Sequence, residues 1–191
     1  MKLYYSDASP YARKVRIVAA EKNIPLELEF VSAFEDPKQL HAANPIGKVP
    51  TLQIDADLAL GESMQICQYL ESLTAEPKLH SVDVGVLRRD AFAIGLMDAL
   101  IRIILESRRP QEVQHQPWVD RQFHAIERTL DVLETETFGK DFTIDQITLV
   151  CALCYMEFRL PDFNWRSNHP KLAEWLQKVS ERKSVKDTIP R

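Results

Sequence analysis

Three short stretches carry residue types that could act together on a ligand. The first is Ser9-Pro10, which follows the apolar run Leu3-Tyr4-Tyr5 and opens the helical pattern Y-A-R-K-V-R. Serine is a favoured helix cap and proline a favoured first helical residue, so the pair could simply start a helix. The same position could also hold an anion such as a thiolate. A helix N-terminus presents unsatisfied amides and the positive end of the helix dipole, and a serine hydroxyl adds a donor.

The second stretch is NPIGKVPTL, residues 44–52. Asn44-Pro45-Ile46-Gly47 is a turn signature, and Pro50 stands at the first residue of a strand, where a missing N–H is tolerated. Val49 ahead of it could offer its backbone N–H and C=O to an extended peptide ligand, as an added strand would. The residues alone leave the isomer of the Val49–Pro50 bond open. The third stretch is Gly61-Glu62-Ser63 before another helical run. Glu62 and Ser63 could serve only as charge complement and cap. They could also present amides and a hydroxyl to a ligand carboxylate, with Glu62 accepting from a ligand ammonium group.

The elements that must position these residues differ on either side of residue 75. Before it, strands are expected at residues 3–6, 26–31, 51–54 and 58–60, and helices at 10–23 and 63–73. The β-α-β segment implies a parallel pair, and Asp55-Ala56-Asp57 reads as a hairpin turn, so the sheet is mixed. Pro77 cannot continue the preceding helix, which places a boundary there. From Asp83 on every long segment has helical period, as at Leu87, Ala91, Ile94, Met97 and Ile101. Residues 143–158 are apolar on nearly every face, the pattern of a helix at the centre of a bundle. Thr143 and Gln146 have the spacing of a capping box. The domains expected are 1–75, α/β, and 81–191, all-helical.

The 191 residues, 45% hydrophobic and 27% charged, are enough to bury one large core or two small ones. No segment reaches the length of a membrane span, and the N-terminus lacks the apolar core of a secretory signal, which points to a cytoplasmic protein. A net charge of −4 with scattered basic pairs offers no footprint for nucleic acid. Three cysteines fit a reducing compartment.

Taken together, S-P-Y-x-R-K-V-R at 9–16, N-P-x-G-K-V-P-T-L at 44–52, E-S at 62–63, the boundary near 75 and T-I-D-Q-I at 143–147 resemble the glutathione S-transferase family over essentially the whole chain, most closely its small bacterial members of serine type. The family usually carries an aspartate where this chain has Gln146. The resemblance implies a thioredoxin-like N-terminal domain with a four-stranded mixed sheet, an all-α C-terminal domain forming the electrophile side of a cleft, and a homodimer. It implies glutathione as co-substrate and no metal. Ser9 matches the serine that hydrogen-bonds the glutathione sulfur, and Val49 the residue whose backbone pairs with the cysteinyl part. Pro50 matches the cis-proline, Glu62 and Ser63 the pair that holds the γ-glutamyl end, and Lys48 a contact to the glycyl carboxylate.

Other residues enter with lesser roles. Tyr5 lies near the position where other family members use a tyrosine hydroxyl, and Tyr4 reads as packing. Arg13 and Arg16 read as a solvated face or an inter-domain ion pair, with Arg13 close enough to the site to touch a substrate. Met97 and Arg102 are candidates for the electrophile pocket. Cys151 and Cys154 lie inside one apolar helix and, like Cys67, read as core. The five histidines show no metal-ligand spacing. The reaction implied is attack of the glutathione thiolate on a small hydrophobic electrophile. A glutathione-dependent disulfide reductase or peroxidase and a non-catalytic interaction module on the same fold are the alternatives.

Overall fold

The computed structural model describes residues 1–191, the side chain of Ala33 excepted. The chain divides into two compact units, Met1–Ser81 with Lys183–Arg191, and Val82–Arg182. The last nine residues therefore lie with the α/β unit, not with the helical one that precedes them in the chain.

The first unit runs β1 (Lys2–Tyr5), α1 (Pro10–Glu21), β2 (Glu27–Phe30), a short 3-10 turn at Ala33–Glu35, α2 (Lys38–Ala43), β3 (Thr51–Gln53), β4 (Ala59–Gly61) and α3 (Ser63–Leu73). The strands form one sheet in the order β2-β1-β3-β4. The β1–β2 pair is parallel, and β1–β3 and β3–β4 are antiparallel. This is the mixed four-stranded sheet implied by the β-α-β segment and the hairpin. Side chains alternate across it. Leu3 and Leu52, paired across β1 and β3, are fully buried on one face. Tyr4 points to the other, where it packs with Val31 and with Leu40 of α2. The Tyr4 hydroxyl donates to Gln53 Oε1 at 3.0 Å. Helices α1 and α3 pack on each other, with Val15, Val18, Ile66 and Leu70 fully buried.

Helix α2 has no counterpart in the expected elements. It is six residues long and buries one side chain, Leu40, so it leaves no periodic apolar stripe to read.

The second unit holds α4 (Val84–Ser107), α5 (Gln116–Glu134), α6 (Ile144–Arg159) and α7 (Pro170–Val179), and the short α8 (Lys183–Lys186) follows in the first unit. Helix α6 is buried along most of its length and packs on α4, as its apolar sequence requires. Its start corrects one expectation. Thr143 caps the helix with no side-chain bond to the backbone, and its own N–H already donates to Asp141 O at 3.0 Å. Gln146 turns its amide N–H to the carbonyls of Gly139 and Asp141 at 3.3 and 2.6 Å and accepts from Trp175 Nε1 at 3.3 Å. A glutamine has donors that a carboxylate lacks, and here they are spent on the preceding loop, so the capping box does not form.

Candidate functional site

The register of the sheet brings the three stretches to one end of it. Tyr4 of β1 faces Thr51 of β3, and Thr51 faces Gly61 of β4. The chain leaves β1 and β4 at this end to start α1 and α3, and it enters β3 here from the Lys48–Pro50 turn. Two helix N-termini and one strand start therefore share a row of three strands, which at about 4.8 Å per strand spacing spans about 10 Å. An extended tripeptide has about the same length.

Ser9 is the N-cap of α1 and is partly exposed. Its Oγ accepts the Ala12 N–H at 3.2 Å, and its N–H donates to Ser6 O at 3.1 Å. Capping uses a lone pair of the hydroxyl and leaves its proton available to a ligand. The cap and the chemistry are therefore compatible, because the bond that starts the helix also fixes the oxygen.

The turn before β3 is built by Asn44, which is buried. Its Nδ2 donates to Thr51 Oγ1 at 2.9 Å and to Lys48 O at 3.3 Å, and its Oδ1 accepts from Ile46 N at 3.1 Å. Thr51 Oγ1 also donates to Lys48 O at 2.8 Å. Gly47 takes φ +69°, a left-handed conformation that suits glycine. The Val49–Pro50 bond is cis. Among the described residues no backbone hydrogen bond outside the strand ladders engages Val49, so its N–H and C=O can serve a ligand. Lys48 is exposed beside it. Asn44 and Thr51 are the positioning residues that sequence reading took only as turn and strand.

Glu62 caps α3 without a side-chain hydrogen bond, at φ 62° and ψ 122°. A non-glycine residue in this region costs about 1–3 kcal/mol and clusters at functional sites. Its carboxylate is exposed and Ser63 behind it is buried. Glu62 therefore stands at the helix start without acting as a hydrogen-bonding cap.

The remaining candidates are dispersed. Tyr5 is half-buried, with its ring edge-on to Phe30 at 6.1 Å and the Arg16 guanidinium 4.8 Å from its centroid. Arg13 does not sit on a solvated face. It is buried, and its guanidinium donates to Thr188 Oγ1 and Val185 O, which withdraws it from contact with a substrate. Arg16 pairs with Asp7 at 3.4 Å. Met97 lies on the inward face of α4 with Ala93, Leu96 and Leu100, fully buried, and presents no surface to an electrophile. Arg102 is exposed on the same helix. Cys67 and Cys151 are buried, Cys154 is half-buried and none of the three is in a disulfide.

Two cavities lie outside the three stretches. One of about 230 Å³ is lined by Tyr4, Gln39, Gln53 and Leu58, among others, and one of about 330 Å³ by Phe123, Arg159, Leu160 and Phe163. Neither includes Ser9, Val49 or Glu62. Among the described residues no group of three or more His, Cys, Asp or Glu could hold a metal ion, and no helix is long and apolar enough to cross a membrane.

A thioredoxin-like sheet whose cis-proline turn and two helix starts converge, followed by a helical unit built on a buried central helix, defines a class, and the chain belongs to the glutathione S-transferase family. Residues 3–78 match its N-terminal domain and residues 116–178 its C-terminal domain. A glutathione transferase family member from Pseudomonas fluorescens Pf-5, solved with bound glutathione, is 34% identical, with TM-score 0.93 over 100% of this chain and 98% of that one. A glutathione S-transferase from Methylobacillus flagellatus KT with glutathione bound is 34% identical, with TM-score 0.92 over 100% and 99%. The uncharacterized GST-like protein YibF of Escherichia coli K12 is 30% identical over 100% of this chain and 98% of its own length.

Proposed function

We propose that the chain is a glutathione transferase in which Ser9 stabilises the glutathione thiolate and a small hydrophobic electrophile is attacked by it. The observation that carries this reading is the convergence of the Ser9 hydroxyl, the free backbone of Val49 and the Glu62-Ser63 helix start on one tripeptide-length row. In this reading Val49 pairs with the cysteinyl backbone, Glu62 and Ser63 take the γ-glutamyl ammonium and carboxylate, and Lys48 takes the glycyl carboxylate. The relatives solved with glutathione bound support it.

The magnitudes suffice. A thiol of pKa about 8.5 is only roughly 3% ionised at pH 7, and a drop of about 2 units, or roughly 2.7 kcal/mol, raises that to about three quarters. A hydrogen bond to a charged group contributes about 1.5–3 kcal/mol and a helix N-terminus about 0.3–1 more. One hydroxyl at a helix start comes close to what is needed. The protein forms no covalent intermediate; it lowers a pKa and positions two reactants.

The test is the ultraviolet thiolate signal of bound glutathione against pH, with binding followed by calorimetry, for the native chain and Ser9→Ala. A native thiol pKa near 6–7 that rises toward 8.5 in Ser9→Ala, with affinity nearly unchanged, is the expected result. A thiol pKa that the substitution leaves untouched would reduce Ser9 to a helix cap and turn attention to Tyr5. No glutathione binding at all would favour a second reading, an interaction module. That reading draws on the 30% identity to a stringent starvation protein A homolog of Coxiella burnetii over 99% of this chain. A homodimer belongs to the first reading, and the exposed apolar side chains Met64 and Leu73 on α3 suit a partner surface; sedimentation equilibrium tests it.

A further inference from the structure

One helical turn after Ser9, on the same face of α1, Arg13 is 2% exposed. A guanidinium does not give up its proton, so its burial leaves a permanent charge out of water. Its hydrogen bonds go to uncharged acceptors, from Nε to Thr188 Oγ1 at 3.3 Å and from Nη2 to Val185 O at 3.1 Å. Nη1 is buried with no acceptor.

The acids of the packed elements are engaged elsewhere. Asp7 pairs with Arg16 at 3.4 Å, Glu21 with Ser184, Asp187 with Lys183 and Glu71 of α3 with Lys22 at 3.0 Å. The other cations on these elements, Lys14, Arg16, Lys183 and Lys186, have the same sign as Arg13. Neutral acceptors satisfy N–H groups without cancelling charge, so a standing positive potential remains in a medium that screens it weakly. Helical side chains lean toward the N-terminus, and Ser9 stands one turn N-terminal to Arg13 on the same face of α1.

We propose that Arg13 is the buried charge that favours an anionic sulfur at Ser9, and that the C-terminal turn from Val185 to Thr188 serves to hold its guanidinium in place. The inference rests on the glutathione transferase reading above. Arg13 acts at a distance and touches neither glutathione nor the electrophile.

The test compares Arg13→Met and Arg13→Lys with the native chain, reading the pKa of bound glutathione and the affinity for S-methylglutathione, which has no thiol to ionise. Arg13→Met is expected to raise the bound-thiol pKa by about one unit, which at pH 7 cuts the thiolate from about three quarters to about one quarter, a roughly threefold loss. Arg13→Lys, which keeps the charge and breaks the bonding geometry, is expected to leave that pKa near the native value. Affinity for S-methylglutathione should stay within about twofold in both, because a fixed charge selects the thiolate and not the peptide.

A bound-thiol pKa unchanged in a folded Arg13→Met would overturn the inference. So would a rise in Arg13→Lys as large as in Arg13→Met, which would make Arg13 a brace. Should Arg13→Met not fold, Arg13→Lys decides alone: a native-like pKa supports the charge, and a raised one overturns it. A native thiol that is not acidified at all marks failure of the transferase reading itself, before Arg13 is in question.

Discussion

Asn44 Nδ2 donates to Thr51 Oγ1 at 2.9 Å and so ties together the two ends of the turn that carries Val49 and Pro50. The same buried amide reaches Lys48 O and Ile46 N, so one side chain sets the backbone of the turn. It also explains the glycine before Glu62, since a Cβ on Gly61 would meet Asn44 Nδ2 at 3.0 Å. Asn44→Asp keeps the shape and the acceptor for Ile46 N but loses both N–H donations. It is expected to destabilise the protein by about 1–3 kcal/mol and to weaken glutathione binding. Urea unfolding and calorimetry measure the two effects, and loss of stability with native affinity would mean that the turn does not shape the site.

In the proposed reading Ser9 joins capping to thiolate stabilisation, two roles that a different substitution separates. Ala at an N-cap costs about 0.5–2 kcal/mol, whereas Gly costs only a few tenths. Ser9→Gly is therefore expected to leave the melting temperature within a few degrees of native while raising the bound-thiol pKa as much as Ser9→Ala does. Thermal unfolding beside the ultraviolet titration checks this. A Ser9→Gly protein with native thiol acidity would leave capping as the only role of the hydroxyl.

The end of the α/β unit depends on a buried charge cluster. The Lys22 ammonium, its side chain fully buried, lies 3.0 Å from Glu71 Oε2 and donates to Pro77 O at 2.8 Å. Glu71 Oε1 accepts from the amides of Leu79 and His80 at 3.1 and 3.4 Å. Burial alone would raise the Glu71 pKa, but the Lys22 ammonium and these amides outweigh it and hold the carboxyl below its ordinary range. A depressed folded pKa stabilises fully above the unfolded value of about 4.3, and that stabilisation fades as pH falls through the folded value. Glu71→Gln is therefore expected to cost about 3 kcal/mol at pH 7, because it strands a buried ammonium. The gap to native should narrow below about pH 4. Urea unfolding at pH 7 and pH 3.5 measures it, and a gap that stays constant would rule out the charged carboxylate as its source.

Much of this architecture was legible in the chain. The parallel β-α-β unit, the β3–β4 hairpin and α3 are periodic or punctuated by strong turn residues, and the buried helix α6 shows itself by having no polar face. The three stretches of the site were visible because cap residues and prolines have narrow physical uses. What stayed hidden depends on long-range packing. Arg13 reads as surface until the C-terminal segment, 172 and more residues away, covers it. Met97 reads as a pocket candidate until α6 covers α4. Gln146 reads as half of a box until the loop before Thr143 takes its donors. Asn44 reads as a turn residue, and nothing local marks Thr51 as its partner.

Asp145 gives the clearest case of a residue whose importance only the fold reveals. It lies in the first turn of α6 with its side chain fully buried, accepting from Arg89 Nε at 2.6 Å and from Thr143 Oγ1 at 2.5 Å. Its charge suits the positive end of the α6 dipole, and Arg89 is further engaged by Glu136 at 3.4 Å. Asp145→Asn keeps the volume but removes the anion, leaving a largely buried guanidinium short of one counter-charge and a helix start without its carboxylate. The expected cost is about 3–5 kcal/mol. The pair Asp145→Asn and Arg89→Met forms a double-mutant cycle, in which the second substitution removes the stranded charge and should recover part of the loss. Equilibrium unfolding of the four proteins measures the coupling. Strict additivity would show that the two side chains stabilise α4 and α6 separately and that their ion pair contributes nothing of its own.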